Sequence, residues 1–199
     1  WIDWQQGAAK TLDKMDPLWL LNYYHYEDNK KSHNGGLTLS RYAGPGSHRY
    51  PVGFSGDTVI SWDSLSFQPY FTSTAANIGY TWWSHDIGGH MKGRFDGELA
   101  TRWIQFGVFS PINRLHSSDN RFSGKEPWNY GRDFEEAQEY FLRLRAKLIP
   151  YIDTANYKTH AFGIPINRPL YYEWPEQEKA YQFKNEYLFG SEMIVSPIT

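Results

Sequence analysis

Strand-like and helix-like segments alternate along this chain from its first residues to about residue 160. This is the pattern of parallel strands joined by helical crossovers, so an α/β architecture is expected. Trp1-Ile2-Asp3-Trp4 reads as a strand end. Asp16-Pro17, an N-cap residue followed by proline at the first helical position, opens a helix over Leu18 to Lys31 that Gly35-Gly36 stops. Leu37 to Arg41 reads as a strand, and Val52 to Ser55 as another that ends at Gly56-Asp57. The segment Ala43 to Pro51 between them is short for a crossover between parallel strands. Further on, the pattern predicts a helix over Trp62 to Ala76 and an aromatic strand over Tyr80 to Ser84. A helix capped by Asp96 then runs through Leu99, Trp103 and Phe106, followed by a strand over Val108 to Leu115. After the polar loop Ser117 to Gly131, Asp133 with Glu136 has the form of a capping box. Ala137, Phe141, Leu144 and Leu148 mark one face of a long helix that Pro150 kinks or breaks. Beyond Gly163 the pattern changes to short strands, Arg168 to Glu173 and Tyr187 to Ser196, punctuated by Pro165, Pro169, Pro175 and Pro197.

Composition removes several function classes. With 20 Lys and Arg against 22 Asp and Glu, the net charge of −2 lacks the basic excess that phosphate neutralisation needs, so no nucleic-acid partner is expected. No apolar run approaches the roughly 18 residues of a membrane helix, and no membrane partner is expected. The chain has no cysteine. That excludes a disulfide framework and a thiolate site, and leaves the compartment open, with the cytoplasm slightly favoured over secretion. His85 and His90 lack the His-Glu-x-x-His spacing of a helical zinc site. Gly44-Pro45-Gly46-Ser47 reads as a turn rather than a phosphate loop. No Gly-x-Ser-x-Gly elbow is present. Neither metal nor cofactor is expected. His25, His33, His48 and His160 read as solvent-facing or loop residues. The 9 Trp, 15 Tyr and 12 Phe suit core packing for the most part, with a few free to wall a ligand site.

In a parallel barrel the reacting groups project from the C-terminal ends of strands. The polar residues that end each expected strand are Asp3, Arg41, Asp57, Asp86, and the pair Arg114 and His116. Paired carboxylates in such positions suit glycoside cleavage, which needs an acid on the leaving oxygen and an anion beneath the sugar ring. Asp3 between Trp1 and Trp4, and Asp57 after Phe54 and Gly56, are both placed for partial desolvation, with Arg41 available to hold one carboxylate ionised. The pattern does not say which of the two carries the proton.

Trp1-Ile2-Asp3, Ser40-Arg41, Gly53-Phe54-Ser55-Gly56-Asp57-Thr58, His85-Asp86-Ile87-Gly88-Gly89, and Arg102 to Gly107 through Pro111, Arg114 and His116 resemble, in order and spacing, glycoside hydrolase family 31. Tyr187-Leu188-Phe189-Gly190 through Val195-Ser196-Pro197 resembles that family's entry into its C-terminal β domain. The resemblance implies a retaining α-glycosidase built on a (β/α)₈ TIM barrel, needing no cofactor. Residues 1–162 would be the part of the catalytic barrel from the end of its fourth strand onward, and 163–199 the beginning of the β domain. It further implies that Asp3 is the nucleophile and Asp57 the acid/base, about 5 to 5.5 Å apart. Arg41, Asp86, Arg114 and His116 would bind the sugar, and Trp1, Trp4 and Phe54 would line its pocket. Two positions depart from the family's α-glucosidases: Trp4-Gln5-Gln6 stands where Met-Asn-Glu is usual, and Phe54 where Trp is common. An α-glucoside is the leading expectation for the oligosaccharide or glycoside substrate. An α-xyloside, an α-N-acetylgalactosaminide and a carbohydrate-binding protein without turnover are the alternatives. A chain that begins at the fourth strand is expected to need the missing half of the barrel for a complete site, and to be inactive alone. No oligomeric state follows from the sequence.

Overall fold

The computed structural model describes residues 1–3, 16–32, 35–42, 44–50, 52–120 and 123–199. Trp4, His33, and residues 43 and 51 of the short crossover lie outside the described residues. Helix α1 (Pro17–Ser32) starts where the sequence signals it, with Asp16 Oδ1 accepting the Leu18 N–H at 2.8 Å. Three short strands follow, β1 (Ser40–Arg41), β2 (Gly53–Phe54) and β3 (Trp83–Ser84), hydrogen-bonded in parallel in that order. Ser40, Gly53 and Trp83 stand in one row of the register, and Arg41, Phe54 and Ser84 in the next. Single parallel bridges, Ile2 to Ser40 and Ile87 to Leu115, extend the array at its two sides. The described segments therefore lie side by side in chain order and in one direction, which is the winding of a barrel wall and not of a doubly wound sheet. β1 and β2 stay parallel although the described part of their connection holds only the 3₁₀ turn Ser47–Arg49.

The outer layer is helical. α2 (Trp62–Thr74) is capped by Ser61, whose Oγ accepts the Ser64 N–H, and α3 (Gly97–Val108) by Asp96, whose Oδ1 accepts the Leu99 N–H at 3.0 Å. The long helix expected next is two helices, α4 (Arg132–Lys147) and α5 (Ile149–Phe162), with Pro150 in the first turn of the second. There proline costs no hydrogen bond, because the first-turn N–H groups have no intrahelical acceptor. A second sheet is antiparallel: β4 (Asn167–Pro169), β5 (Tyr187–Phe189) and β6 (Met193–Val195), with the one-turn helix α6 (Lys179–Gln182) before the β5–β6 hairpin. Trp103, Phe106, Val108, Ile87 and Leu65 share one buried cluster with Ile152, Ile166, Tyr187 and Phe189, so both sheets rest on a common core. Each such side chain contributes about 2 kcal/mol by leaving water.

Several sequence expectations are corrected, among them the single strand over Tyr187 to Ser196, which is the β5–β6 hairpin, and the strands over Leu37 to Arg41 and Val52 to Ser55, which pair over two residues each. Val108 to Leu115 is not a strand: Val108 closes α3, and only Leu115 makes a bridge. The carbonyls that a strand would offer are already taken. Arg145 of α4 donates to those of Val108, Ser110 and Pro111 at 2.6 to 2.9 Å, while the Phe109 carbonyl accepts from Tyr187 Oη and Asn167 Nδ2. The Asp133–Glu136 capping box does not form, because α4 begins two residues earlier than such a box requires, with Gly131 at its cap. Asp133 instead places negative charge in the first turn, and Glu136 accepts from Arg132 Nε at 2.9 Å. The aromatic strand shrinks to Trp83–Ser84, since the N–H groups of Tyr80 and Thr81 bond back to Ala75 and Gly79 in the turn that ends the preceding helix. Arg168 to Glu173 is extended only through Pro169, after which Leu170–Tyr172 turn into a 3₁₀ helix.

Candidate active site

Successive residues of a strand face opposite sides, and the register sorts this sequence accordingly. Ser40, Gly53, Trp83 and His85 face the helices. Ser40 Oγ accepts from Asn22 Nδ2 of α1 at 2.8 Å, Trp83 packs on Tyr80 and Phe71, and His85 lies against Phe106 of α3. Arg41, Phe54, Ser84 and Asp86 face the other way, and there they meet.

Arg41 is the hub. Its Nε donates to Asp3 Oδ1 at 2.6 Å and its Nη2 to Asp57 Oδ1 at 3.0 Å, so one guanidinium joins two carboxylates 54 positions apart in the chain, each about one-third exposed. Gly56 makes the reach possible. It holds φ of +87°, and a Cβ there would collide with Arg41 Nη1. A second cation lies alongside: Arg114 Nη2 donates to Asp86 Oδ1 at 2.7 Å, its Nε to Ser84 Oγ at 3.0 Å, and its guanidinium carbon stands 5.3 Å from the Trp1 ring centre and 5.4 Å from that of Phe54. Asp86 is 1% exposed and fully engaged, since Oδ2 accepts the Thr58 N–H at 3.1 Å. A buried carboxylate is kept only with such partners. Trp1 meets Phe54 edge-on at 5.6 Å and His116 at 5.3 Å. Burial holds the His116 imidazole below its usual pKa, helped by Arg114 and opposed by Asp86 and Asp57.

Every described residue singled out in the sequence, namely Trp1, Asp3, Arg41, Phe54, Asp57, Asp86, Arg114 and His116, is brought to this one rim. Four neighbours are not among the expected site residues. Ser84 and Thr58 orient Arg114 and Asp86. Lys125 lays its stem over Gly88, where φ is +90° and a Cβ would meet Lys125 Cδ. Burial lowers its ammonium to about 8, with Asp86 and then Glu126 acting the other way. His90, set aside as a metal ligand, stacks on His116 at 4.5 Å with its Nε2 3.7 Å from Asp57 Oδ1. Asp57, Asp86 and His90 bring ligand atoms within 4.8 Å of one another, but a guanidinium already sits on each of the two carboxylates.

Strands wound in this order, with carboxylates and their cations along the C-terminal rim, define part of a TIM barrel of the glycoside hydrolase type. The family model for the glycosyl hydrolases family 31 TIM-barrel domain matches residues 8–155, and that for the family's C-terminal domain matches 163–199. The chain belongs to glycosyl hydrolase family 31. An alpha-xylosidase of Saccharolobus solfataricus is 33% identical over 167 residues, 82% of this chain and 22% of that protein. Alpha-glucosidase 2 of Bacillus thermoamyloliquefaciens is 32% identical over 175 residues, 87% of this chain and 22% of that protein. Among solved structures, a family 31 alpha-xylosidase from a soil metagenome complexed with xylose superposes with a TM-score of 0.81 at 30% identity, over 89% of this chain and 30% of that one. The Flavobacterium johnsoniae dextranase does so with 0.83 at 29% identity, over 89% and 23%. The chain thus spans about a quarter or less of the curated relatives it matches.

Proposed function

We propose that this chain carries both catalytic carboxylates of a retaining α-glycoside hydrolase acting on α-glucosides, with Asp3 as nucleophile and Asp57 as acid/base. The observation that carries this reading is the single guanidinium of Arg41 shared by the two carboxylates. It brings them to one centre and gives the pair a counter-charge. In the first step Asp57 gives its proton to the glycosidic oxygen as the bond from that oxygen to the anomeric carbon breaks, and an Asp3 oxygen bonds to the same carbon. In the second, the Asp57 carboxylate takes a proton from water, the water oxygen bonds to the anomeric carbon, and the Asp3 ester breaks. Asp86, Arg114 and His116 are suited to sugar hydroxyls, and Trp1 and Phe54 to an apolar sugar face. Residues 1–162 supply the barrel part and 163–199 the beginning of the β domain. The 199-residue chain by itself is inactive, because the rest of the barrel rim is needed to enclose a sugar.

The test uses a full-length protein carrying this sequence. A panel of aryl α-glycosides is expected to show the α-glucoside turned over fastest; the relatives named as alpha-xylosidases make the α-xyloside its first competitor. Asp3→Ala and Asp57→Ala should each abolish most turnover, and a fluorinated sugar should label Asp3. Unchanged turnover in either variant, or labelling elsewhere, refutes the assignment.

A further inference from the structure

From the geometry around Asp57 we infer that His90 is a positioning residue for the acid, holding Oδ1 so that Oδ2 presents the proton to the leaving group. This rests on the reading of Asp57 as acid/base given above.

The chain is built to put that imidazole there. Gly88 and Gly89, at φ of +90° and +78°, turn the backbone after Asp86, and residues 90 and 91 then run beside the segment that follows Asp57. The His90 and Met91 N–H groups both donate to the Thr58 carbonyl, at 2.7 and 3.2 Å, and Ile60 N–H donates to the Met91 carbonyl at 3.1 Å. On its other side the His90 carbonyl accepts from Ser118 N–H at 2.8 Å. The ring is stacked as well: it lies 19° from parallel to His116, which in turn meets Trp1.

The direction of the ring decides what it does. Nδ1 is buried without a partner among the described residues, whereas Nε2 faces the Asp57 carboxylate, so the N–H of the neutral ring belongs on Nε2. At 3.7 Å this is longer than a hydrogen bond, as catalytic contacts often are before substrate closes them. His90 and Arg41 thus address the same oxygen, Oδ1. Arg41 already donates to Oδ1 and the His90 Nε2–H is aimed at it, so the proton of the acid form belongs on Oδ2. A freely turning carboxyl would spend part of its time with the proton aimed at neither the leaving oxygen nor any acceptor.

An acid that has lost its alignment hurts only reactions that need the proton. The experiment therefore compares kcat/KM, which reports bond cleavage in the first step, for an alkyl α-glycoside and for the α-glycosyl fluoride of the same sugar, whose leaving group needs little protonation. In the full-length protein, His90→Phe keeps the stack on His116 and removes the N–H. It should lower the alkyl-to-fluoride ratio by about 10- to 100-fold, a part of the 10²- to 10⁴-fold that general acid catalysis supplies. His90→Gln, which restores an N–H donor, should recover part of the ratio. Asp57→Ala calibrates the assay with a larger fall of the same kind. If Asp57→Ala shows the fall and His90→Phe lowers both substrates equally or neither, the role of His90 is wrong and that of Asp57 stands. If Asp57→Ala itself shows no selective fall, the acid assignment fails and this inference with it.

Discussion

Acid should destabilise this protein through a residue that touches no substrate. His85 has no exposed surface, lies against Phe106 at 4.7 Å, and leaves both ring nitrogens without a partner among the described residues. Burial, with Arg114 adding to it, lowers its pKa from 6.5 to about 3. The unfolded chain therefore binds a proton at His85 between pH 6.5 and 3 that the folded chain refuses, and stability falls as pH falls through that window. One pKa unit is worth about 1.4 kcal/mol, so going from pH 7 to pH 5 costs about 2 kcal/mol from this group alone. At a urea dependence of about 2 kcal/mol per molar, the midpoint falls by roughly 1 M. Carboxylates add their own pH dependence, so the informative quantity is the difference between native protein and His85→Leu, which fills a similar volume and cannot titrate. Urea unfolding followed by the fluorescence of the buried Trp83 and Trp103 at the two pH values should show the variant losing about 2 kcal/mol less than the native protein. Equal losses would refute the argument: His85 would then be taking up its proton in the folded state.

The other predictions concern single contacts. Gly56→Ala should cost at least about 100-fold in kcat/KM, as displacements of catalytic groups do, because the new methyl occupies the place of the Arg41 guanidinium at a positive φ. Arg41→Lys should lose about as much, since a single ammonium cannot reproduce the two directed bonds to Asp3 and Asp57; activity near the native level would show that the bridge is dispensable. Arg145→Met should destabilise the fold by about 2 kcal/mol, read as a fall in Tm, by leaving the carbonyls after α3 without their charged donor. Asp96→Ala should cost about 1 kcal/mol for the lost cap, with the bond from Trp62 Nε1 lost as well.

What could be read from the sequence was what local chemistry decides. Asp16 and Asp96 begin helices because a carboxylate beside the unpaired N–H groups of a first turn stabilises that turn whatever surrounds it. Pro150 breaks a helix for a reason equally local. Val108 to Leu115 reads as a strand because its apolar residues suit one, while the donors that capture its carbonyls, Arg145, Asn167 and Tyr187, lie far along the chain. His90 was missed as a site residue for a similar reason: nothing around it in the sequence points at Asp57. The adjacent Gly88-Gly89 was the available signal, since two glycines in succession mark a place where the chain can double back.

The strand-end residues were legible even though the strands themselves hold only two or three residues, and the pleat explains why. Parity, not length, assigns a residue to the rim. With Ser40, Gly53 and Trp83 in one row facing the helices, Arg41, Phe54 and Ser84 must face the opposite side, and a slip of one residue would exchange the two sets. Small or aromatic outward residues lock the parity: Gly53 leaves room for the Tyr80 ring, and a side chain there would collide with it. The same parity separates two neighbours in the chain. Asp86 turns inward to Arg114 and the Thr58 N–H, which give a buried charge its partners, while His85 turns outward to Phe106, where no described residue offers it a hydrogen bond and the neutral ring is favoured. The acid sensitivity of the fold and the charge of the site therefore arise from one constraint, the direction in which β3 leaves its last paired residue.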